Sequence, residues 1–226
     1  MKKIIISTVI ILLMATPALA TDFNPNYIIS DSEMLDYNSM TLREIKEFID
    51  GKEGALKNYL FTAKDGLPAE AGTVMSAAEV IYDRAITNKI NPKFLLVLIQ
   101  KEQSLLTDAS PKQSQYDWAA GYGCPDGGGC NDRWQGFYKQ MNSAALQFYS
   151  YVTEPHLYKY KAGETYVFTN PYGTINTEDI TVTPANNATA GLYNYTPHVY
   201  NGNYNFWNLW NRYFSRFLID GSLVQA

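Results

Sequence analysis

The stretch from Asn91 to Leu106, NPKFLLVLIQKEQSLL, constrains the fold more than any other. Asn91 suits a helix cap, and Pro92 suits the first helical position because its missing N–H needs no partner there. From Phe94 to Ile99 no polar residue interrupts the run, so a helix here has no face to offer water and belongs in a core. Glu102 falls four residues after Leu98 and three before Leu105, which continues the apolar stripe instead of opposing it. A carboxyl held against apolar groups loses hydration and keeps its proton to higher pH, as a general acid that protonates a leaving oxygen must. A plainer reading stands beside this one: Gln100 to Ser104 is the helix end reaching water, with Glu102 solvated.

Residues 1–20 have the pattern of a cleaved export signal. Lys2 and Lys3 form a basic start, Ile4 to Met14 an apolar run too short to span a membrane, and Ala18-Leu19-Ala20 a small-residue cleavage site. Thr21 follows rather than Cys, so no lipid anchor is indicated, and the mature chain is expected in the periplasm or the medium. Residues 21–226 are enough for one domain with its own core. Setting aside Lys2 and Lys3 leaves 16 of the 18 basic residues against 22 acidic ones, a formal charge of −6. That balance argues against a nucleic-acid partner, whose phosphates demand a basic face. Tyr (18) and Trp (4) are plentiful, and such rings either stack on sugars or simply fill cores and interfaces.

The two cysteines, Cys124 and Cys130, lie within GYGCPDGGGC. An exported chain permits a disulfide, and the intervening proline and glycines let so short a loop close. The chain-entropy model assigns such a loop about 2 kcal/mol. A metal site is the weaker alternative, since there is no second cysteine pair and His156 and His198 stand in unrelated contexts. Neither a metal nor another cofactor is expected.

Thr41 with Glu44 forms a capping box ahead of Leu42, Ile45, Phe48 and Ile49, an apolar face ended by Gly51. Helices are expected over Ala69–Asn88, from Asn91, over Gly136–Val152, Asn187–Tyr193 and Asn205–Phe217. A loop rich in Gly, Asp and aromatics separates the second and third of these. Thr165–Thr169 and Asp179–Thr183, with Asn170-Pro171-Tyr172-Gly173 between them, read as a β-hairpin inserted at about 159–185. The expectation is a mainly α domain with a small β-hairpin insertion.

The order of motifs adds to this reading. A core helix ending in Glu102-x-Ser104 is followed by Ala119-Ala120-Gly121-Tyr122-Gly123, by Asn142 in an Asn-x-x-Ala-x-x-Phe helix, and by Ala190-Gly191-Leu192-Tyr193-Asn194. That order resembles the lysozyme-like superfamily, in particular lytic transglycosylases and related bacterial glucosaminidases. The stretches NPKFLLVLIQKEQSLLT, GYGCPD, GFYKQ and ATAGLYNYTPH are more closely similar to secreted bacterial domains of this type, over about Met40 to Phe214. The resemblance implies a lysozyme-like helical domain that cuts β-1,4 bonds in peptidoglycan or a related amino-sugar glycan. Glu102 matches the catalytic acid/base, Tyr193 the tyrosine whose hydroxyl approaches it, and Asn194 the amide beside it.

The loop reads Ala-Gly-Tyr-Gly-Cys where the superfamily has Gly-Leu-Met-Gln, so the usual glutamine contact has no counterpart. Ser104, Trp118, Tyr122, Asn194 and Tyr195 are the candidate substrate contacts. The wider set of groove aromatics adds Tyr116, Trp134, Tyr138, Tyr193 and Tyr200. Asp117, Asp126 and Asp132 are the candidates for a second carboxylate, and Asp126, after Pro125, equally suits a turn. The expected protein is a monomer that needs neither a membrane nor nucleic acid. The competing reading is a noncatalytic glycan-binding module on the same fold. A serine or cysteine hydrolase is disfavoured, for no Gly-x-Ser-x-Gly occurs and both cysteines are paired.

Overall fold

Asn91 accepts the Lys93 N–H with its side-chain oxygen at 2.9 Å and so starts the helix that the rest of the chain surrounds. In the computed structural model, residues 22–64, 67, 70–169, 179–214, 217–219 and 222–224 are described. The leader expected over residues 1–20 and the turn Asn170–Gly173 lie outside them.

The helices are α1 (Asp31–Met34), α2 (Leu42–Asp50), α3 (Ala77–Asn88), α4 (Pro92–Gln103), α5 (Gln113–Asp117), α6 (Phe137–Thr153), α7 (Asn187–Tyr195) and α8 (Asn205–Phe214). Three two-stranded antiparallel ladders accompany them. Strand β1 (Leu60–Thr62) pairs with β2 (Val74–Ser76), Phe61 opposite Met75. Strand β3 (Tyr166–Phe168) pairs with β4 (Ile180–Val182), and β5 (Phe217–Ile219) with β6 (Ser222–Val224). The fold is mainly α with small β elements, and β3 with β4 is the inserted hairpin that the sequence foretold.

Phe94 to Ile99 on α4 are each 1% exposed or less, which is what a helix without a polar face requires. The Phe94 ring meets Phe148 of α6 at 4.5 Å and Phe206 of α8 at 5.3 Å, so one side chain joins three helices. Helix α3 packs on α4 and α6, and α7 packs on α6.

Helix α3 begins later than the expected Ala69. Ser76 Oγ accepts the Glu79 N–H at 3.3 Å, and the Glu79 carboxylate accepts the Ser76 N–H at 2.6 Å. This capping box fixes the start at Ala77 and frees Val74–Ser76 to pair as β2. The expected box at Thr41 and Glu44 is present at the start of α2. Helix α7 runs two residues beyond Tyr193, and α8 stops at Phe214, before β5.

The first described residues are fastened to the far end of the chain. Thr189 Oγ1 accepts the Ile28 N–H and donates to the Ile29 carbonyl, both at 3.1 Å. Asn26 Oδ1 accepts the Thr183 N–H at 2.7 Å, and Asp31 the Ala188 N–H at 2.6 Å. Among the described residues no helix is long and apolar enough to cross a membrane.

Candidate functional site

Helix α4 delivers Glu102 to its last turn, where the chain reverses. Ser104 takes the left-handed conformation at φ 57° and ends the helix, with its backbone N–H on the Gln100 carbonyl at 3.0 Å. The Gln100 side chain fastens the return by accepting the Leu106 N–H at 2.9 Å and donating to Thr107 Oγ1 at 2.8 Å. Ser104 is exposed on this turn as a helix cap.

The Glu102 carboxyl does not sit among apolar groups alone. Lys101 Nζ donates to its Oε1 at 2.6 Å and to Thr196 Oγ1 at 3.1 Å. The lysine side chain is 9% exposed and the glutamate 23%, so this is a sheltered pair rather than a solvated one. The expectation of purely apolar surroundings is therefore corrected: a flexible neighbouring lysine folds onto the carboxylate.

Gly121 lies against the other oxygen. A Cβ at residue 121 would stand 3.1 Å from Glu102 Oε2, and the φ of +70° there is one that glycine adopts without cost. At Gly123, with φ +75°, a Cβ would meet the Trp134 ring at 2.5 Å. The two glycines let the loop lie close on both the carboxylate and the tryptophan.

A single buried amide holds that loop. Gln140 of α6 is fully buried, and its Oε1 accepts the Ala120 and Tyr122 N–H groups at 3.2 and 3.0 Å. Its Nε2 donates to the Tyr122 and Trp134 carbonyls at 2.9 and 2.8 Å. Both atoms of the amide are thus saturated by the loop backbone. The Cys124–Cys130 disulfide closes the next segment, as expected.

The result is an open groove of about 560 Å³ beside Gly121. Tyr122, Trp134, Tyr151 and Tyr195 line it, with Gln147, Asn131 and Asn194, and none of its lining residues is charged. Tyr122 and Trp134 meet edge to face at 5.2 Å. Burial, and after it the Glu102 carboxylate, pushes the Tyr195 phenol well above its ordinary 10. Burial raises the Tyr122 and Tyr151 phenols as well, so the groove presents neutral hydroxyls. Past its rim, His198 Nε2 lies 2.9 Å from Asp126 Oδ2 and ties the disulfide loop to the segment after α7.

Several expected residues stand elsewhere. Tyr193 is fully buried, stacks on Phe168 and donates its hydroxyl to the Pro25 carbonyl at 2.9 Å. Tyr195 is the tyrosine that feels Glu102; its hydroxyl donates to the Ala120 carbonyl at 2.8 Å. Two residues along a helix turn a side chain by about 200°, so the two phenols leave α7 on opposite sides. Asn194 borders the groove, but its amide is engaged with the Tyr160 N–H at 2.9 Å and the Tyr160 carbonyl at 2.7 Å.

Trp118, half-buried at the end of α5, is not among the groove-lining residues, whereas Tyr122 is. Tyr116 and Tyr138 are core residues, and Tyr200 packs near Phe23. Asp117 accepts from Gln113 and Gln135, each at 3.0 Å, and with Asp132 borders a separate pocket. Asn142 lies within α6 and accepts from Arg84 at 3.1 Å and Asn88 at 3.2 Å. Among the described residues no cluster of three or more His, Cys, Asp or Glu is placed to hold a metal.

Sequence reasoning missed Lys101, Thr196 and Gln140. The signal for Gln140 was its place in the quoted GFYKQ stretch. For Thr196 it was its position directly after Tyr195.

Fold and site together define a mainly helical, disulfide-stapled domain with a single glutamate at the edge of a neutral aromatic groove. Residues 27–219 match the family described as LasA, N-terminal domain, and the chain belongs to that family. No curated protein and no solved structure matches it.

Proposed function

We propose that the protein is an exported, lysozyme-like enzyme that cleaves β-1,4 bonds between amino sugars in peptidoglycan or a related glycan, with Glu102 as general acid/base. The observation that carries this reading is the Glu102 carboxylate held against Gly121 at the edge of an uncharged groove walled by Tyr122, Trp134 and Tyr195. Such walls suit pyranose rings, whose C–H faces stack on aromatics while hydroxyl and acetamido groups meet Gln147, Asn131 and the tyrosine hydroxyls. The disulfide and the leader-like residues 1–20 support export.

Two-carboxylate glycosidases place the pair about 5–10 Å apart across the scissile bond. Of the candidate second carboxylates, Asp117 and Asp132 border a separate pocket and Asp126 faces His198, which favours a mechanism with one carboxyl group. Protonated Glu102 gives its proton to the glycosidic oxygen as the C1–O bond breaks. The resulting carboxylate then takes the proton of the muramyl 6-hydroxyl as that oxygen bonds to C1. The products are a shortened chain and a 1,6-anhydro end, and no water is consumed.

Mass spectrometry of soluble fragments from purified peptidoglycan, wild type beside Glu102→Gln, tests this. Anhydro fragments from wild type alone are the expected result, with at least a 10³-fold loss in the variant. Full activity in Glu102→Gln overturns the reading. The Lys101–Glu102 pair favours one alternative, a glycan-binding module whose carboxylate is already engaged. Glycan binding by both proteins without fragments from either is its signature.

A further inference from the structure

We infer that Lys101 is a positioning residue, which holds Glu102 by Oε1 so that Oε2 is the oxygen that gives and takes the proton. The inference rests on the proposed function and assigns parts within that site.

Adjacent residues on a helix are turned about 100° apart and do not normally face each other. Lys101 nevertheless reaches Oε1 at 2.6 Å, and its side chain is only 9% exposed. A lysine free to choose would keep its head in water, since ordering so long a chain costs entropy.

A second anchor explains why it stays. Lys101 Nζ also donates to Thr196 Oγ1 at 3.1 Å. Thr196 is itself fixed from three directions. Its N–H donates to the Leu192 carbonyl at 2.8 Å, and its carbonyl accepts from the fully buried Asn203 at 2.9 Å. Its methyl lies where a Cβ on Gly202 would stand, 2.5 Å away. The end of α7, Thr196, Lys101 and Glu102 Oε1 therefore form one continuous support.

The two carboxyl oxygens are left unequal. Oε1 is taken by an ammonium, whereas Oε2 faces Gly121, where only a hydrogen occupies the place of a side chain. Gly121 lines the groove, so Oε2 is the carboxyl oxygen on the groove side and the one assigned to meet the glycosidic oxygen. Groups that act through such aim affect the chemical step more than binding, because a displacement of about 1 Å costs on the order of 10²-fold in rate.

The test uses the mature protein and a soluble chain of alternating N-acetylglucosamine and N-acetylmuramic acid, with kcat and KM measured separately. Lys101→Met is expected to lower kcat by about 30-fold with KM changed less than about twofold. Thr196→Val keeps the shape of the side chain and removes only the second anchor. It is expected to lower kcat by about fivefold, and Thr196→Ser to restore it. Glu102→Gln marks the floor. If wild type cleaves, Glu102→Gln does not, and Lys101→Met or Thr196→Val keeps the wild-type kcat or moves KM alone, the inference is overturned and the proposed function stands. If wild type itself does not cleave, both fall together.

Discussion

Residues 94–99 of α4 and residues 119–136 of the groove loop lie in one domain but are held by opposite means. The helix segment is secured by apolar burial from every direction, through Phe94, Phe148 and Phe206. The loop has Gln140 bonded to its backbone at four atoms, four glycines with positive φ, and one disulfide. Burial is non-directional and tolerates small shifts, whereas hydrogen bonds to backbone atoms specify position. The core therefore supplies stability and the loop supplies geometry.

Phe94→Ala breaks the first region. It should cost about 4 kcal/mol, read as a lower denaturant midpoint, while the proposed glycan affinity stays unchanged below the transition. Gln140→Leu breaks the second. Four backbone groups at buried or half-buried residues lose their partner, and water reaching the loop offsets part of that, so about 3 kcal/mol is expected. Here the proposed glycan affinity, followed by tryptophan fluorescence, should fall even where the chain is fully folded. Equal effects of both variants on affinity would erase the distinction.

Ser76→Ala sharpens the comparison, since it removes a polar device that serves the core helices and not the groove. It should cost about 1 kcal/mol at neutral pH and leave affinity intact. The Ser76 N–H and then its hydroxyl hold the Glu79 carboxyl below its ordinary 4.5. A lowered carboxylate stabilises the fold above that value and loses the effect as pH falls through the lowered one. The gap between wild type and Ser76→Ala should thus narrow in acid, and a gap that widens would contradict the capping role.

The same division explains what the sequence disclosed. Phe94 to Ile99 announced a buried helix because an apolar run with no polar face, started by the Asn91-Pro92 cap, has no side to offer water. Thr41-x-x-Glu44 marked the start of α2 for a similar reason, being a local motif with one outcome. Ser76-x-x-Glu79 carries the same signal, but Val74 also stands at helical spacing to Ala77, Ala78 and Ile81, which fits a helix as well as the end of a strand. The groove was less legible. Nothing local tells Tyr193 from Tyr195 as the neighbour of Glu102, because the choice depends on the rotation of α7 against α6. Gln140 reads as one polar residue among others until the loop is folded onto it. Lys101 reads as solvated, for its two partners depend on where the chain reverses and where α7 ends.

The fastening of residues 26–31 to residues 183–189 bears on the order of events as the chain folds. Contacts that span about 160 residues close late, since loop closure must be paid in entropy before any such contact forms. Asn194, Tyr195 and Thr196 lie on the helix that this seam fastens and just beyond its end, so the groove wall and the anchor of Lys101 belong to the part of the chain that docks late. The nascent chain carries the glutamate from its first half onward, but the surroundings that aim it arrive last.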